Sequence, residues 1–259
     1  MNNIDYKETN QYWNQLEQEK IGRYSAGYII PLRYENVALY RFLKELKFLN
    51  KFGKFGGNYL DLGCGTGNFL FEWRDKFDNL IGIDFSSSFV DIAKKQNKNF
   101  KNIKIYKANV LDFESCIDDK KFKFIFVGGC FMYLKDEDVS MLISKLFKRL
   151  ENGGVLIFRE PTTTQKRIYE KNIGARRTIF EYKELIPLKE DVSYYQNYST
   201  NYTFFILLYL KIFPFLKNKV SIFNNFLIEF FFLYLPLNIY KILKRNMGLY
   251  HFFIINKNK

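Results

Sequence analysis

Between residues 59 and 160 short apolar runs alternate with stretches whose apolar residues recur every three or four positions. That rhythm predicts strands separated by helices. Tyr59–Leu62 reads as a first strand, Asn68–Phe77 as a helix, Leu80–Asp84 as a second strand, and Ser86–Asn97 as a helix opened by Ser86 or Ser87. Ile103–Ala108 and Phe122–Gly128 read as the third and fourth strands. The fourth is an apolar run of the kind a sheet covered on both faces needs. Asp136–Leu150 carries a helical stripe of Val139, Leu142, Ile143, Leu146 and Leu150, closed by Asn152-Gly153-Gly154, and Val155–Glu160 is a fifth strand. The expected fold is α/β: a Rossmann-like, doubly wound, mostly parallel sheet.

The flanks keep a different rhythm. Residues 1–50 read as a helical arm, with Tyr34–Leu49 periodic and a break at the glycines 53, 56 and 57. Beyond Pro161, Thr178–Ile186 reads as a helix, Val192–Tyr198 as a strand and His251–Asn256 as a last strand. Four parts follow: a lid-like arm (1–50), an α/β core (51–160), an acceptor-side segment with a hydrophobic helical insertion before the last strand (161–248), and the final strand and tail (249–259). Within the insertion, Thr203–Leu216 and Phe226–Leu237 are dense in Phe, Leu, Ile and Tyr. Each falls short of the roughly 20 residues that span a bilayer, and Lys211, Pro214, Glu229 and Pro236 interrupt them. Three readings stand open for residues 203–237: a cap over the sheet's open end that forms an apolar acceptor pocket, peripheral membrane contact aided by Lys217, Lys219, Lys241, Lys244 and Arg245, or a homo-oligomer interface.

Composition narrows the function classes. A chain of 259 residues with 47% hydrophobic residues can bury a full core, which argues against general disorder. The net charge of +13 would suit an anionic partner. Lysine is scattered, however, and abundant together with Asn, Ile, Phe and Tyr, as an AT-rich genome produces, so a nucleic-acid partner is not expected. Cys64, Cys116 and Cys130 form no CxxC pair and His251 is the only histidine. Neither a metal site nor a Ser-His-Asp triad is expected. The first residues lack the apolar core of a signal peptide, and the chain reads as cytoplasmic.

The chemistry gathers at Asp61-Leu62-Gly63-Cys64-Gly65-Thr66-Gly67. A glycine turn between a strand and a helix lets a ligand approach the backbone closely. The dinucleotide spacing G-x-G-x-x-G fails, because position 68 is Asn68. Asp61 just ahead of the loop is a poor neighbour for pyrophosphate and a good one for a cation, which favours S-adenosylmethionine, with its ammonium and sulfonium, over NAD. Asp84 ends the second strand, where a carboxylate can accept both hydroxyls of a ribose. Phe85 can cover one adenine face.

Together YLDLGCGTGNF, IGIDFS, KIYKANVLDF and ENGGVLIFREP resemble, in order and interval, the motifs of class I S-adenosylmethionine-dependent methyltransferases. The resemblance covers about residues 50–160 and implies a seven-stranded sheet. It implies that Asp61, Gly63, Gly65 and Gly67, with Cys64 between them, line the methionine side, that Asp84 holds the ribose, and that Gly128 lies beside the sulfonium. Asn109 and Val110 fall where the family reads the adenine amino group, with Asn109 replacing the commoner acid.

The acceptor site of an open α/β sheet lies beyond the strand carboxyl ends. That region holds Gly128–Tyr133 and Arg159-Glu160. Tyr133, where many small-molecule methyltransferases carry a histidine, is a candidate orienting group, and Glu160 a candidate base or acceptor-binding acid. Trp13 and Tyr24 are candidate lid residues. The expected function is methylation of a small molecule, with a saccharide or lipid-linked acceptor considered. The alternatives are protein methylation, including at an amino terminus, and a non-catalytic partner that keeps the fold.

Overall fold

The computed structural model describes residues 4–15, 23–24, 35–163, 165–187, 192–197 and 249–257. Helices α1 (Tyr6–Asn14) and α2 (Glu35–Leu49) precede the sheet. The core then runs β1 (Asn58–Leu62), α3 (Asn68–Trp73), β2 (Asn79–Asp84), α4 (Ser87–Asn97), β3 (Ile103–Lys107), β4 (Phe122–Gly128), α5 (Asp136–Lys148) and β5 (Leu150–Thr163). It is completed by β6 (Ile168–Glu170), β7 (Gly174–Thr178), α6 (Ile179–Leu185), β8 (Val192–Asn197) and β9 (Leu249–Asn256). Short 3₁₀ turns occupy Val110–Cys116 and Phe131–Tyr133.

Strands β3-β2-β1-β4-β5 are parallel neighbours, β9 lies antiparallel on β5, and β8 pairs with β9. This is the seven-stranded, mostly parallel, Rossmann-like sheet that the rhythm and the resemblance foretell. The chain reverses direction across the sheet between β1 and β4, so both send their carboxyl ends into one crevice.

Alternation along the strands builds two cores. Leu60, Leu62, Ile81, Ile83, Ile125, Val127, Leu156 and Phe158 face α5 and α6, against Val139, Leu142, Ile143, Leu146 and Tyr182. Tyr59, Leu80, Phe124, Phe126, Val155 and Ile157 face the other way, against Phe42, Leu49, Phe69, Leu70 and Trp73 of α2 and α3. With strand neighbours buried on both faces, the continuous apolar run of β4 is accounted for.

Three expectations are corrected. Helix α5 stops at Lys148, with Arg149 as its cap, and Leu150 opens β5 opposite Phe122. Asn152-Gly153-Gly154 is therefore a bulge inside β5 and not a helix end. A Cβ on Gly154 would stand 2.9 Å from Glu151 O and 3.0 Å from Phe122 O, so only glycine fits there. Helix α3 ends at Trp73, earlier than Phe77. The β6–β7 hairpin, which extends the sheet beside Thr162 and Thr163, has no counterpart in the sequence reading. The hydrophobic segments of 203–237 lie outside the described residues. Among those described, no helix is long and apolar enough to cross a membrane.

Candidate functional site

An open cleft of about 1000 Å³, counting the solvent at its mouth, lies beyond the carboxyl ends of β1, β2, β4 and β5. Gly63, Gly65, Asp84, Phe85, Asn109, Val110, Gly128 and Tyr133 line it, which brings eight of the sequence candidates together. A smaller inner lobe is shared through Gly63, Gly65, Gly128 and Arg159 and adds Asp61, Cys64 and Thr66.

The floor is bare backbone. Gly63 and Gly65 have φ of 73° and 52°, a region L side chains rarely adopt. A Cβ on Gly63 would collide with Cys130 Sγ, while one on Gly65 would meet nothing within 4 Å, standing instead in the cleft. Gly67 does not line the cavity. It caps α3 at φ 77°, where a Cβ would reach Ala93 at 3.1 Å and Asn97 Nδ2 at 2.9 Å, so its role is close packing of α3 on α4.

Asp61 sits at the inner end of β1, 2% exposed, and one of its carboxylate oxygens has no hydrogen-bond partner among the described residues. Burial, reinforced by the charge of Asp84 and opposed by Arg159 and the nearby Tyr59 hydroxyl, pushes its pKa up to about 8. The Asp84 carboxylate accepts the backbone N–H of Gly65 at 2.9 Å and of Ser86 at 2.9 Å. Burial still raises it to about 6 against those bonds. Asp84 lines the cleft beside Gly65 with one such bond on each oxygen. Asn109 caps the 3₁₀ turn, its side-chain oxygen accepting Leu111 N–H at 3.0 Å. That oxygen is thus engaged, and Val110 presents the apolar contact next to it.

The opposite wall is aromatic. Tyr133 packs edge-on to Trp13, with ring centroids 5.3 Å apart, and Trp13 in turn meets Phe89 at 5.8 Å. Tyr6, Thr9, Asn10 and Trp13 of α1 cover the cleft on this side. The helix is pinned there by Asp5 N–H to Asn172 O at 2.7 Å, by Thr9 Oγ1 to Ile173 O at 2.8 Å, and by the Tyr6 hydroxyl on Asp138. Tyr24 lines the inner lobe. Burial holds the Tyr133 hydroxyl far above its ordinary range, so the phenol stays protonated.

Glu160 is the clearest departure from expectation. It is wholly buried and does not line the cleft. Its oxygens accept Phe131 N–H at 2.8 Å and Met132 N–H at 3.1 Å, and the Tyr182 hydroxyl lies at 3.4 Å. Unlike Asp84, this carboxylate does not border the cleft. Its neighbours Arg159 and Pro161 line the cavity instead, together with Tyr250 of β9. Arg159 is paired with Glu45 of α2 at 2.5 Å, and Glu45 also binds Arg41 at 3.4 Å. The Arg41 and Arg159 guanidiniums lie 4.4 and 5.8 Å from the Tyr250 ring centre. Arg159 and the strand-five end were visible as a region in the sequence, and Trp13 of α1 as a candidate lid residue, whereas no periodicity tied Tyr250 to this cleft. Among the described residues, no group of three or more His, Cys, Asp or Glu side chains converges as metal ligands would.

Comparison with known proteins gives the same picture. A family model described as a methyltransferase domain matches residues 60–154. Phosphoethanolamine N-methyltransferase 1 of Arabidopsis thaliana is 32% identical over 105 residues, 40% of this chain and 21% of that protein. The chain thus spans about a fifth of the length of such relatives. Carboxy-S-adenosyl-L-methionine synthase of Campylobacter jejuni subsp. doylei is 30% identical over 167 residues, 62% of this chain and 68% of that protein. Among solved structures, phosphoethanolamine N-methyltransferase 2 of Haemonchus contortus, in complex with phosphomonomethylethanolamine and S-adenosylhomocysteine, superposes with a TM-score of 0.60 at 18% identity. That match covers 83% of this chain and 52% of the other, and at such identity it speaks for the fold.

Proposed function

The chain belongs to the class I S-adenosylmethionine-dependent methyltransferase family, and from that premise we propose that it transfers a methyl group from S-adenosylmethionine to the nitrogen of a small-molecule amine. The observation that carries the reading is the buried Asp61 oxygen with no partner among the described residues, set beside a floor of bare glycine backbone. Buried carboxylates are stable only when paired, and the ammonium of the cofactor's methionine end is a partner of the right sign. Asp84 would take the ribose hydroxyls, Phe85 and Val110 would bracket the adenine, and Gly128 would leave room at the sulfonium. When bound, the cofactor supplies an electrophilic methyl on a positively charged sulfur that leaves as a neutral thioether.

The chain's part in the transfer is alignment and exclusion of water. Tyr133 would orient the acceptor as a hydrogen-bond donor, and α1 would close over it through Trp13. We read the arm 1–50 as the lid, 51–160 as the cofactor core and 161–248 as acceptor-side on the same grounds. Among the described residues, no carboxylate or imidazole lines the wall formed by Trp13, Tyr133, Arg159 and Tyr250. A hydroxyl acceptor would need a base there, whereas an amine that arrives neutral needs none. The name of the Arabidopsis relative, an N-methyltransferase, agrees with nitrogen. The saccharide or lipid-linked acceptor gains no support from the cleft or from the names of the relatives.

Calorimetry with S-adenosylmethionine and with NAD tests the cofactor, and NAD binding in its place would overturn the assignment. Labelled-methyl transfer to a panel of small amines and matched alcohols tests the acceptor class; label found only in the alcohols would defeat the nitrogen reading. One observation favours a second reading. Arg159 borders both lobes at Gly128, where a guanidinium would meet a carboxylate carried on the cofactor's transferred carbon. The Campylobacter relative is named for a cofactor of that kind. Mass spectrometry of nucleoside co-purifying with the protein separates the two: a carboxylated cofactor supports the second reading, and S-adenosylmethionine or S-adenosylhomocysteine the first.

A further inference from the structure

The backbone from Phe131 to Leu134, which carries Met132 and Tyr133 into the cleft, is held by two wholly buried side chains of opposite charge. Glu160 takes the N–H groups of Phe131 and Met132. Arg177 of β7, itself 0% exposed, gives Nη1 to Phe131 O at 2.9 Å and Nη2 to Leu134 O at 2.6 Å. Asp136 accepts Arg177 Nε at 2.8 Å and Arg167 Nη2 at 2.7 Å, which fixes the arginine from behind. The Tyr182 hydroxyl completes the carboxylate's surroundings. Burying two charges is costly, and apolar replacements of similar volume are often neutral or stabilising. A network like this therefore gives the fold little that leucines could not. What it does give is a fixed backbone turn under one cleft-lining tyrosine.

We propose that Glu160 and Arg177 are positioning residues, a buried acid–base clamp that sets where Tyr133 stands against Trp13 and hence how the acceptor wall is shaped. The proposal rests on the methyltransferase reading for its purpose and on the clamp's own geometry for its existence. It also reverses the role first expected of Glu160, from a base that meets the acceptor to a group that acts through Tyr133.

The clamp should respond to protonation. A carboxylate can accept two amide N–H groups at once, while its protonated form turns one acceptor into a donor facing a donor. Burial raises the pKa of Glu160 to about 7, against the pull of the Phe131 and Met132 amides and of Arg159 and Arg177. The other groups that face it are the Tyr182 hydroxyl, Cys130 and Tyr133 on the turn, and His251, its cross-strand neighbour on β9. The clamp is therefore closed above about pH 7 and loosens as pH falls through that value.

Acrylamide quenching of tryptophan emission reads this without cofactor or acceptor. Trp73 is fully buried and Trp13 lines the cleft, and these are the chain's two tryptophans. The quenchable emission is thus that of Trp13. In the unaltered protein its quenching constant should rise about twofold as pH falls from 8 to 6. Glu160→Gln should show the high value throughout with the pH dependence gone, while its affinity for S-adenosylhomocysteine stays within about threefold. Asp61→Asn should keep the transition, since Asp61 does not touch the turn. If Glu160→Gln does not fold, Tyr182→Phe, which removes one donor to the carboxylate, should move the midpoint upward by about half a unit. The proposal is overturned if Glu160→Gln keeps the transition of the unaltered protein, or if the Tyr182→Phe midpoint does not move. Failure of the protein to bind S-adenosylhomocysteine would instead remove the methyltransferase reading and leave the clamp standing.

Discussion

Asp61 in β1 and Gly67 at the cap of α3 stand six residues apart in one motif and separate two kinds of importance. Asp61 is buried, carries a raised pKa of about 8, and so is mostly protonated at pH 7 in the unliganded protein. An ammonium ligand favours the charged form, so its binding must release a proton. Titration at pH 7 in two buffers of different ionisation enthalpy should show release approaching one proton per ligand. Asp61→Asn should abolish that release and weaken S-adenosylmethionine about tenfold or more, since hydrogen bonds to charged groups contribute about 1.5–3 kcal/mol. Equal proton release in the variant would remove Asp61 from the ammonium. Gly67→Ala should act differently. The alanine must adopt φ 77° and press on Ala93 and Asn97, which costs about 1–3 kcal/mol and lowers Tm by about 3–10 °C. The folded variant should bind cofactor nearly as well as the parent, because Gly67 does not line the cleft. Both residues belong to one motif in the sequence, and the motif alone cannot divide them. The division follows from which glycine faces the cavity and which faces α4, and that depends on how the helices dock.

At the scale of elements, the parts that were legible are those whose signal is local. The β1–β5 strands and the helices between them show in hydrophobic period alone, because a strand buried on both faces needs an apolar run and a helix on a sheet needs a stripe. Helix α6, read as Thr178–Ile186, forms over Ile179–Leu185, and the structure adds a capping box of Thr178 and Glu181 at its start. The β6–β7 hairpin was not legible, since its strands are short and its turn, Lys171-Asn172-Ile173, puts the lysine and not the asparagine at positive φ, 53°. Trp13 was expected over the cleft as a lid residue, but no local pattern could reveal that Tyr250 of β9 meets the same cleft. Non-local contacts leave no periodic trace. Helix α1 carries its own prediction. Trp13→Ala removes the ring that bridges Tyr133 and Phe89 and should raise KM for an amine acceptor about tenfold. Affinity for S-adenosylhomocysteine should change less than threefold, because the glycine floor and Asp84 are untouched. Steady-state kinetics paired with calorimetry checks the split, and an equal loss in both would mean that α1 orders the cofactor lobe and not the acceptor wall.

Taken as a whole, the molecule stores acid groups where a folded protein gains least from them. Asp61, Asp84 and Glu160 are all buried near one end of the sheet, with pKa values pushed up by burial to about 8, 6 and 7. In each case the folded pKa exceeds the unfolded value, so the native state binds more protons than the unfolded one between about pH 4 and 8. Stability then rises toward lower pH within that window and is lost as pH climbs through the folded values. A cationic ligand that needs Asp61 charged reverses the balance at that site. The stabilisation that S-adenosylmethionine gives should accordingly grow from pH 5.5 to pH 8. At a ligand concentration of about 100 times Kd, linkage supplies about 2.7 kcal/mol, or a Tm increase of about 5–10 °C for a chain of this size. Thermal denaturation at both pH values, with ligand concentration held fixed, measures this directly. NAD should give no shift at either pH, and Asp61→Asn should flatten the ligand's pH dependence while leaving the contribution of Glu160 to the unliganded curve. A cofactor shift that shrinks as pH rises would mean that the ligand binds the protonated carboxyl, and the electrostatic match between the inner lobe and a positively charged nucleoside would no longer hold.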